Sequence, residues 1–103
     1  MISDNDKLRS ALGFAQRAGK VRSGEMACVQ SIRTGKALVV IVDETVSEKS
    51  RKRWSDICDR AGVPIIFAEE VGRAIGRDAH TVVCVQDKGF AEMILRSRQG
   101  ILS

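Results

Sequence analysis

Apolar residues recur along this chain in two rhythms, and the switching between them sets the expected order of elements. Leu8, Ala11, Leu12, Ala15 and Ala18 fall three and four apart, which places their side chains on one face of a helix. Ser3 or Asp4 stands where such a helix is capped, and Gly19 where it stops. Lys20-Val21-Arg22 reads as a short extended piece. Ser23 then caps a second helix whose stripe is Met26 or Ala27, followed by Val29 and Ile32, and which ends before Gly35. Ala37 to Val42 is an unbroken run rich in β-branched residues, the pattern of a strand buried on both faces. Thr45 and Glu48 have the spacing of a capping box in front of a third helix. Trp54, Ile57, Cys58 and Ala61 share its inner face, and Gly62 ends it. Pro64 leads into a second apolar strand, residues 65–68, and Glu69 and Glu70 open a short fourth helix containing Val71, Ala74 and Ile75. Gly76 stops that helix, residues 81–85 form the last long strand, and Asp87 caps a final helix carrying Phe90, Ile94 and Leu95. Fraying is expected from about Arg98 onward.

Helices that alternate with doubly buried strands predict a central sheet covered on both sides, a three-layer α/β/α sandwich of the α/β class. No repeat, low-complexity tract or Pro/Gly/Ser-rich linker divides the 103 residues, so residues 1–103 are expected to form a single domain. Strand order is left open by this pattern.

Charge narrows the partner class. Lys and Arg outnumber Asp and Glu by 17 to 13, a balance that favours nucleic acid, anionic membrane or acidic protein. The basic residues are clustered. Arg17, Lys20 and Arg22 lead into Ser23-Gly24-Glu25 at the start of the second helix, where free N–H groups and the helix dipole favour an anion and a glycine admits close approach. Arg33 and Lys36 stand near the other end of that helix, and Arg73 and Arg77 flank Gly76. Glycine loops bearing arginine suit a phosphate backbone and unpaired bases. The run Lys49-Ser50-Arg51-Lys52-Arg53 reads as a solvated helix face with Trp54 turned inward. Phe14, Trp54, Phe67 and Phe90 all read as core, which disfavours base stacking on an open sheet.

Other chemistry is thinly represented. There is no Gly-x-Gly-x-x-Gly and no P-loop lysine motif, so no cofactor is expected. Cys28, Cys58 and Cys84 are widely spaced and odd in number, which fits buried thiols in a reducing compartment. With His80 the sole histidine, a Cys/His zinc site is not expected. The polar start of the chain is unlike a signal peptide, and no apolar run approaches the roughly 20 residues of a membrane span; a cytoplasmic protein without membrane contact is expected. Asp43-Glu44, Glu69-Glu70 and Asp87 all follow strands, at the edge where α/β sheets bind ligands. Capping of helix starts explains most of them; a magnesium site using Asp43, Glu69 and Asp87 is the enzymatic rival.

Val63-Pro64 before a strand, followed by Val71-Gly72-Arg73-Ala74-Ile75-Gly76, resembles the Ile/Val-Pro … Leu-Gly-x-Ala-x-Gly signature of the L-seven-Ae/L-thirty-e ribosomal protein family. Gly24 opening the second helix, the Ile32-to-Gly35 helix end and the strand after it match as well, so the similarity runs from about Leu8 to Leu95. Ser23-Gly24-Glu25 and Asp87-Lys88-Gly89-Phe90-Ala91 are similar to the bacterial YlxQ-like branch. The resemblance implies a mixed four-stranded sheet and binding of kink-turn RNA. It implies an RNA surface over Arg22 to Gln30 and Gly76 to His80. Met26 and Ala27 stand where archaeal members carry an Asn-Glu pair, Gln30 where they carry a lysine, and of Arg77, Asp78 and Ala79 only the acid is retained.

The expectation is a non-enzymatic, monomeric RNA-binding protein for a kink-turn or internal loop, with ribosomal RNA and the ribosome as candidate partners. Arg22, Ser23, Gly24, Glu25, Met26 and Gln30 would meet one strand. Gly76, Arg77, Asp78 and Ala79 would contact bases or sugars, and Lys20, Lys36 and Arg73 would steer phosphates. A protein-interaction module using the same loops is the alternative.

Overall fold

A computed structural model describes residues 4–99. The elements follow the apolar rhythms closely. Helix α1 (Asp4–Arg17) is followed by strand β1 (Val21–Ser23), helix α2 (Glu25–Arg33), strand β2 (Val39–Asp43) and helix α3 (Glu48–Ala61). Strand β3 (Ile65–Ala68), the single-turn helix α4 (Val71–Ala74), strand β4 (Val82–Val85) and helix α5 (Lys88–Gln99) complete the chain. The sheet is four-stranded and mixed, in the order β1-β4-β2-β3. β2 runs parallel to β3, whereas β4 is antiparallel to both of its neighbours, β2 and β1.

The unbroken apolar character of β2 and β4 is explained by the layers above and below them. Val39, Ile41, Val83 and Val85 point to one face and pack with Leu8 and Leu12 of α1, Val71 and Ile75 around α4, and Ala91 and Ile94 of α5. Val40, Val42, Val82 and Cys84 point to the other face, against Cys28 of α2 and Trp54 and Cys58 of α3. Successive strand residues alternate between the two cores, so neither face tolerates a polar position. The architecture is the expected three-layer α/β/α sandwich.

The cysteines are buried thiols. The adjacent Cys84 sulfur and burial together hold the Cys28 thiol well above the ordinary thiol range, and burial pushes Cys58 up to about 11.

Several local expectations give way to tertiary structure. Ser23 is the last residue of β1, paired with Val83, and does not cap α2; Gly24 occupies that place with no side-chain cap. The capping box at Thr45 and Glu48 does not form. Ser47 caps α3 by accepting from the Ser50 N–H at 3.1 Å, while the Thr45 N–H and hydroxyl both donate to Asp43. Ala18 lies beyond the end of α1 and Ala61 in the last turn of α3, and both are exposed. Phe14 is not core: it is 54% exposed, with the Arg17 guanidinium 4.7 Å above its ring. Of the two candidates for the α2 stripe, Met26 faces outward and Ala27 is half-buried. Ser3 lies outside the described residues, as does most of the tail beyond Arg98. No described helix is long and apolar enough to cross a membrane.

Candidate nucleic-acid interface

Sheet topology decides which loops meet. β1 and β2 end at the edge where β4 begins, because β4 is antiparallel to both. The start of α2, the loop 76–81 and the loop 44–47 therefore gather at one edge. The opposite edge holds the start of β1, the turn after α2 and the end of β4, where the Gln86 N–H donates to the Lys20 carbonyl.

At the first edge the two stretches expected to act together are joined. Ser23 Oγ and His80 Nδ1 are hydrogen-bonded at 2.7 Å, and the Gly24 N–H donates to the Val82 carbonyl at 2.9 Å. Gly24 has φ 92° and ψ 156°, a conformation essentially confined to glycine. A Cβ there would stand 3.7 Å from the His80 ring. The start of α2 is thus seated against the end of the 76–80 loop, with no side chain between them. Beyond Gly24, Glu25 and Gln30 are exposed, and Met26 is 87% exposed at the head of the helix. Glu25 is ion-paired with Arg53 of α3.

The loop itself is folded around Gly72. Its Arg77 N–H donates to the Gly72 carbonyl at 2.8 Å, and the His80 N–H to the Arg77 carbonyl at 2.9 Å. A Cβ on Gly72 would lie 2.5 Å from the Arg77 and His80 carbonyl oxygens and 3.0 Å from that of Asp78. The loop backbone can close over α4 only because that atom is missing. Gly76, Arg77, Asp78 and Ala79 are left exposed on its outer side.

Asp43 supports the same edge from inside. Its buried carboxylate accepts from the Thr45 N–H and hydroxyl at 3.0 and 2.7 Å, and from the Val71 N–H at 3.0 Å. Burial works to raise its pKa, but these hydrogen bonds together leave it below the ordinary carboxylate range. Both oxygens are engaged, so Asp43 ties the end of β2 to the start of α4. The carboxylate trio drawn from the sequence is also split: Asp43 and Glu69 follow parallel strands at one edge, whereas Asp87 follows antiparallel β4 at the other. Asp87 accepts from the Phe90 N–H at 3.0 Å, as a helix cap. Among the described residues no three His, Cys, Asp or Glu side chains gather as a cation site.

Of the expected site residues, Arg22, Ser23, Gly24, Glu25, Met26, Gln30, Gly76, Arg77, Asp78 and Ala79 belong to β1, α2 and the adjoining loop. Arg73 is exposed on α4 and ion-paired with Glu70 at 3.0 Å. Lys20 and Lys36 are not brought to this edge; they stand at the opposite one, Lys36 lining a groove with Arg22, Gln30 and Thr34. His80, Asp43 and Arg53 are positioning residues, a role the sequence did not give them: it marked His80 only as the end of the loop stretch, Asp43 as a cation ligand and Arg53 as part of a solvated face. Gly72 had a signal, its place in the Gly-x-Ala-x-Gly signature.

A three-layer sandwich with a mixed sheet, a glycine-started helix and a glycine-supported loop at one sheet edge defines an L7Ae-type fold. Residues 6–95 match the ribosomal protein L7Ae/L30e/S12e/Gadd45 family, and the chain belongs to that family. The chain is 39% identical over 87 residues to the RNA-binding protein YlxQ of Bacillus subtilis (strain 168), covering 82% of this chain and 87% of that one. It is 34% identical over 92 residues to the RNA-binding protein YlxQ of Enterococcus faecium, covering 86% and 88%. A solved structure of a protein from Bacillus halodurans C superposes with a TM-score of 0.84 at 28% identity, covering 90% of this chain and 97% of that one.

Proposed function

We propose that this chain is an RNA-binding protein, not an enzyme, whose residues 1–103 act as one monomeric domain in the cytoplasm. Family membership and the RNA-binding relatives support the class of partner. The observation that carries the placement is the Ser23–His80 hydrogen bond, which makes the start of α2 and the 76–80 loop one surface. Arg22, Ser23, Gly24, Glu25, Met26 and Gln30 meet one RNA strand. Gly76, Arg77, Asp78 and Ala79 reach bases or sugars where the second strand departs from it. Arg73 adds positive charge beside the loop. Lys20, at the far edge, acts on phosphates only at longer range, and Lys36 acts on them through the groove it lines with Arg22 and Gln30.

The favoured target is a structured RNA with a kink-turn or internal loop, with ribosomal RNA the leading source. Exposed Met26 provides an apolar contact for an unstacked base in place of a polar base reader. The test compares a kink-turn RNA with a plain duplex of equal length in a binding titration. Preference for the kinked RNA, reduced about tenfold or more by Arg77→Ala, is the expected result. Equal affinity for both RNAs removes the kink-specific part of the proposal.

A further inference from the structure

A depression beside α2 and a second one along the basic side of α3 meet at Arg53, and we infer that together they form a groove that holds the phosphate backbone of a double-stranded stem in the bound RNA, next to the interface proposed above. The inference rests on the RNA-binding reading and extends it to a second surface.

Charge is the first reason. Arg33, Lys49, Lys52, Arg53 and Arg60 line the groove against two carboxylates, Glu25 and Asp56. That surplus of three positive charges sits in a chain whose formal net charge is +4. Both carboxylates are taken up, Glu25 by Arg53 and Asp56 by Lys52 at 3.6 Å. Arg33, Lys49 and Arg60 have no carboxylate partner among the described residues. Exposed i,i+4 pairs of opposite sign are common on a solvated helix face; here the two remaining α3 carboxylates, Glu48 and Asp59, are exposed but do not line the groove, which keeps its positive surplus.

Shape and continuity are the second reason. Lys49, Lys52, Arg53, Asp56 and Arg60 lie along one stripe of α3 that is about 16 Å long at 1.5 Å per residue. A stripe of that length spans several consecutive phosphates. α2 follows β1 and α3 follows β2, so both helices start at the interface edge and run away from it side by side. The Glu25–Arg53 ion pair bridges the first turn of α2 and the second turn of α3, and Met26 and Gln30 belong both to the proposed interface and to the groove wall. A stem leaving the α2 start in this direction passes over cations along its whole path. The scarcity of exposed aromatic rings along this path suits a paired backbone better than unstacked bases.

The test uses the full chain and two internal-loop RNAs, one with long flanking stems and one with stems trimmed to a few base pairs. Arg33, Lys49 and Arg60 are exposed, and the combined Arg33→Ala, Lys49→Ala and Arg60→Ala variant keeps the fold, checked by its melting temperature. On the long-stem RNA the variant should bind more weakly, with a salt dependence shallower by about 2.7 log units per log unit of salt, from three lost duplex phosphate contacts. On the trimmed RNA it should match the parent. Parental affinity and slope on the long-stem RNA, or an equal loss on both RNAs, overturns the stem assignment while leaving the interface at Ser23 and Gly76 standing. If the parent binds neither RNA, the RNA reading fails and this inference with it.

Discussion

Gly24 and Gly72 are both required, for different reasons. At Gly24 the reason is backbone conformation: with φ 92° and ψ 156°, any side chain is strained even though the space beside His80 is adequate. Gly24→Ala should cost about 1–3 kcal/mol in urea denaturation and should weaken RNA binding. At Gly72 the reason is space, since two carbonyl oxygens stand 2.5 Å from where a Cβ would be and the backbone cannot yield as a flexible side chain would. Gly72→Ala should cost about 1–3 kcal/mol and lower RNA affinity by displacing the loop. Asp43 adds a pH signature. Its folded pKa is lowered from 3.8, so its contribution is complete above that value and is lost as pH falls through the folded pKa. Urea midpoints recorded on the acid side of pH 4 should fall in the parent, and Asp43→Asn should be less stable at neutral pH with a flatter acid limb. An unchanged acid limb in the variant would contradict this assignment.

Helices α3 and α4 show how an element's start is chosen by what lies beside it. Thr45 and Glu48 match a capping box letter for letter, yet Thr45 is drawn onto the Asp43 carboxylate and the helix starts two residues later at Ser47. Ser47→Ala should therefore cost about 1 kcal/mol in chemical denaturation. Glu48→Ala should stay within about 0.5 kcal/mol of the parent, as for an exposed surface position. α4 is a single turn with Glu70 as its cap at φ 53°, a left-handed conformation uncommon outside glycine. Arg9 and Arg73 hold the Glu70 carboxylate, and Asp43 takes the first N–H of the turn. So short a helix persists through these tertiary contacts, since its own hydrogen bonds are too few to sustain it.

Across the molecule, the positive charges divide into those that share an edge with the interface and those that do not. Lys20 precedes β1, about 13 Å from Gly24 at strand rise, which exceeds the Debye length of about 8 Å at physiological salt. Lys20→Ala should change RNA affinity much less than Arg77→Ala in a parallel titration. The three thiols are held in one apolar layer with no exposed sulfur. A thiol reagent should label none of them in native buffer and all three after unfolding; rapid labelling of the folded chain would show that the layer over Cys28 and Cys84 opens locally.

Spacing along the chain was enough to mark every helix and strand, because the face a residue occupies depends on neighbours two to four positions away. It was enough also to mark Gly24 as the opening of α2 and Gly76 as the stop after α4, and Leu8, Leu12, Trp54 and Ile94 as core. Whether β4 runs with its neighbours or against them involves contacts between residues dozens of positions apart, on which local periodicity carries no information. That one orientation sends Asp87 to the far edge, seats the 76–80 loop beside α2 and brings His80 to Ser23 across 57 positions of chain. It also explains the correction at Ser23, which pairs with Val83, while Thr45 is drawn away from capping by the buried Asp43 carboxylate. A residue's local preference is worth about 1 kcal/mol, and a strand partner, a buried carboxylate or a crossing helix outweighs it.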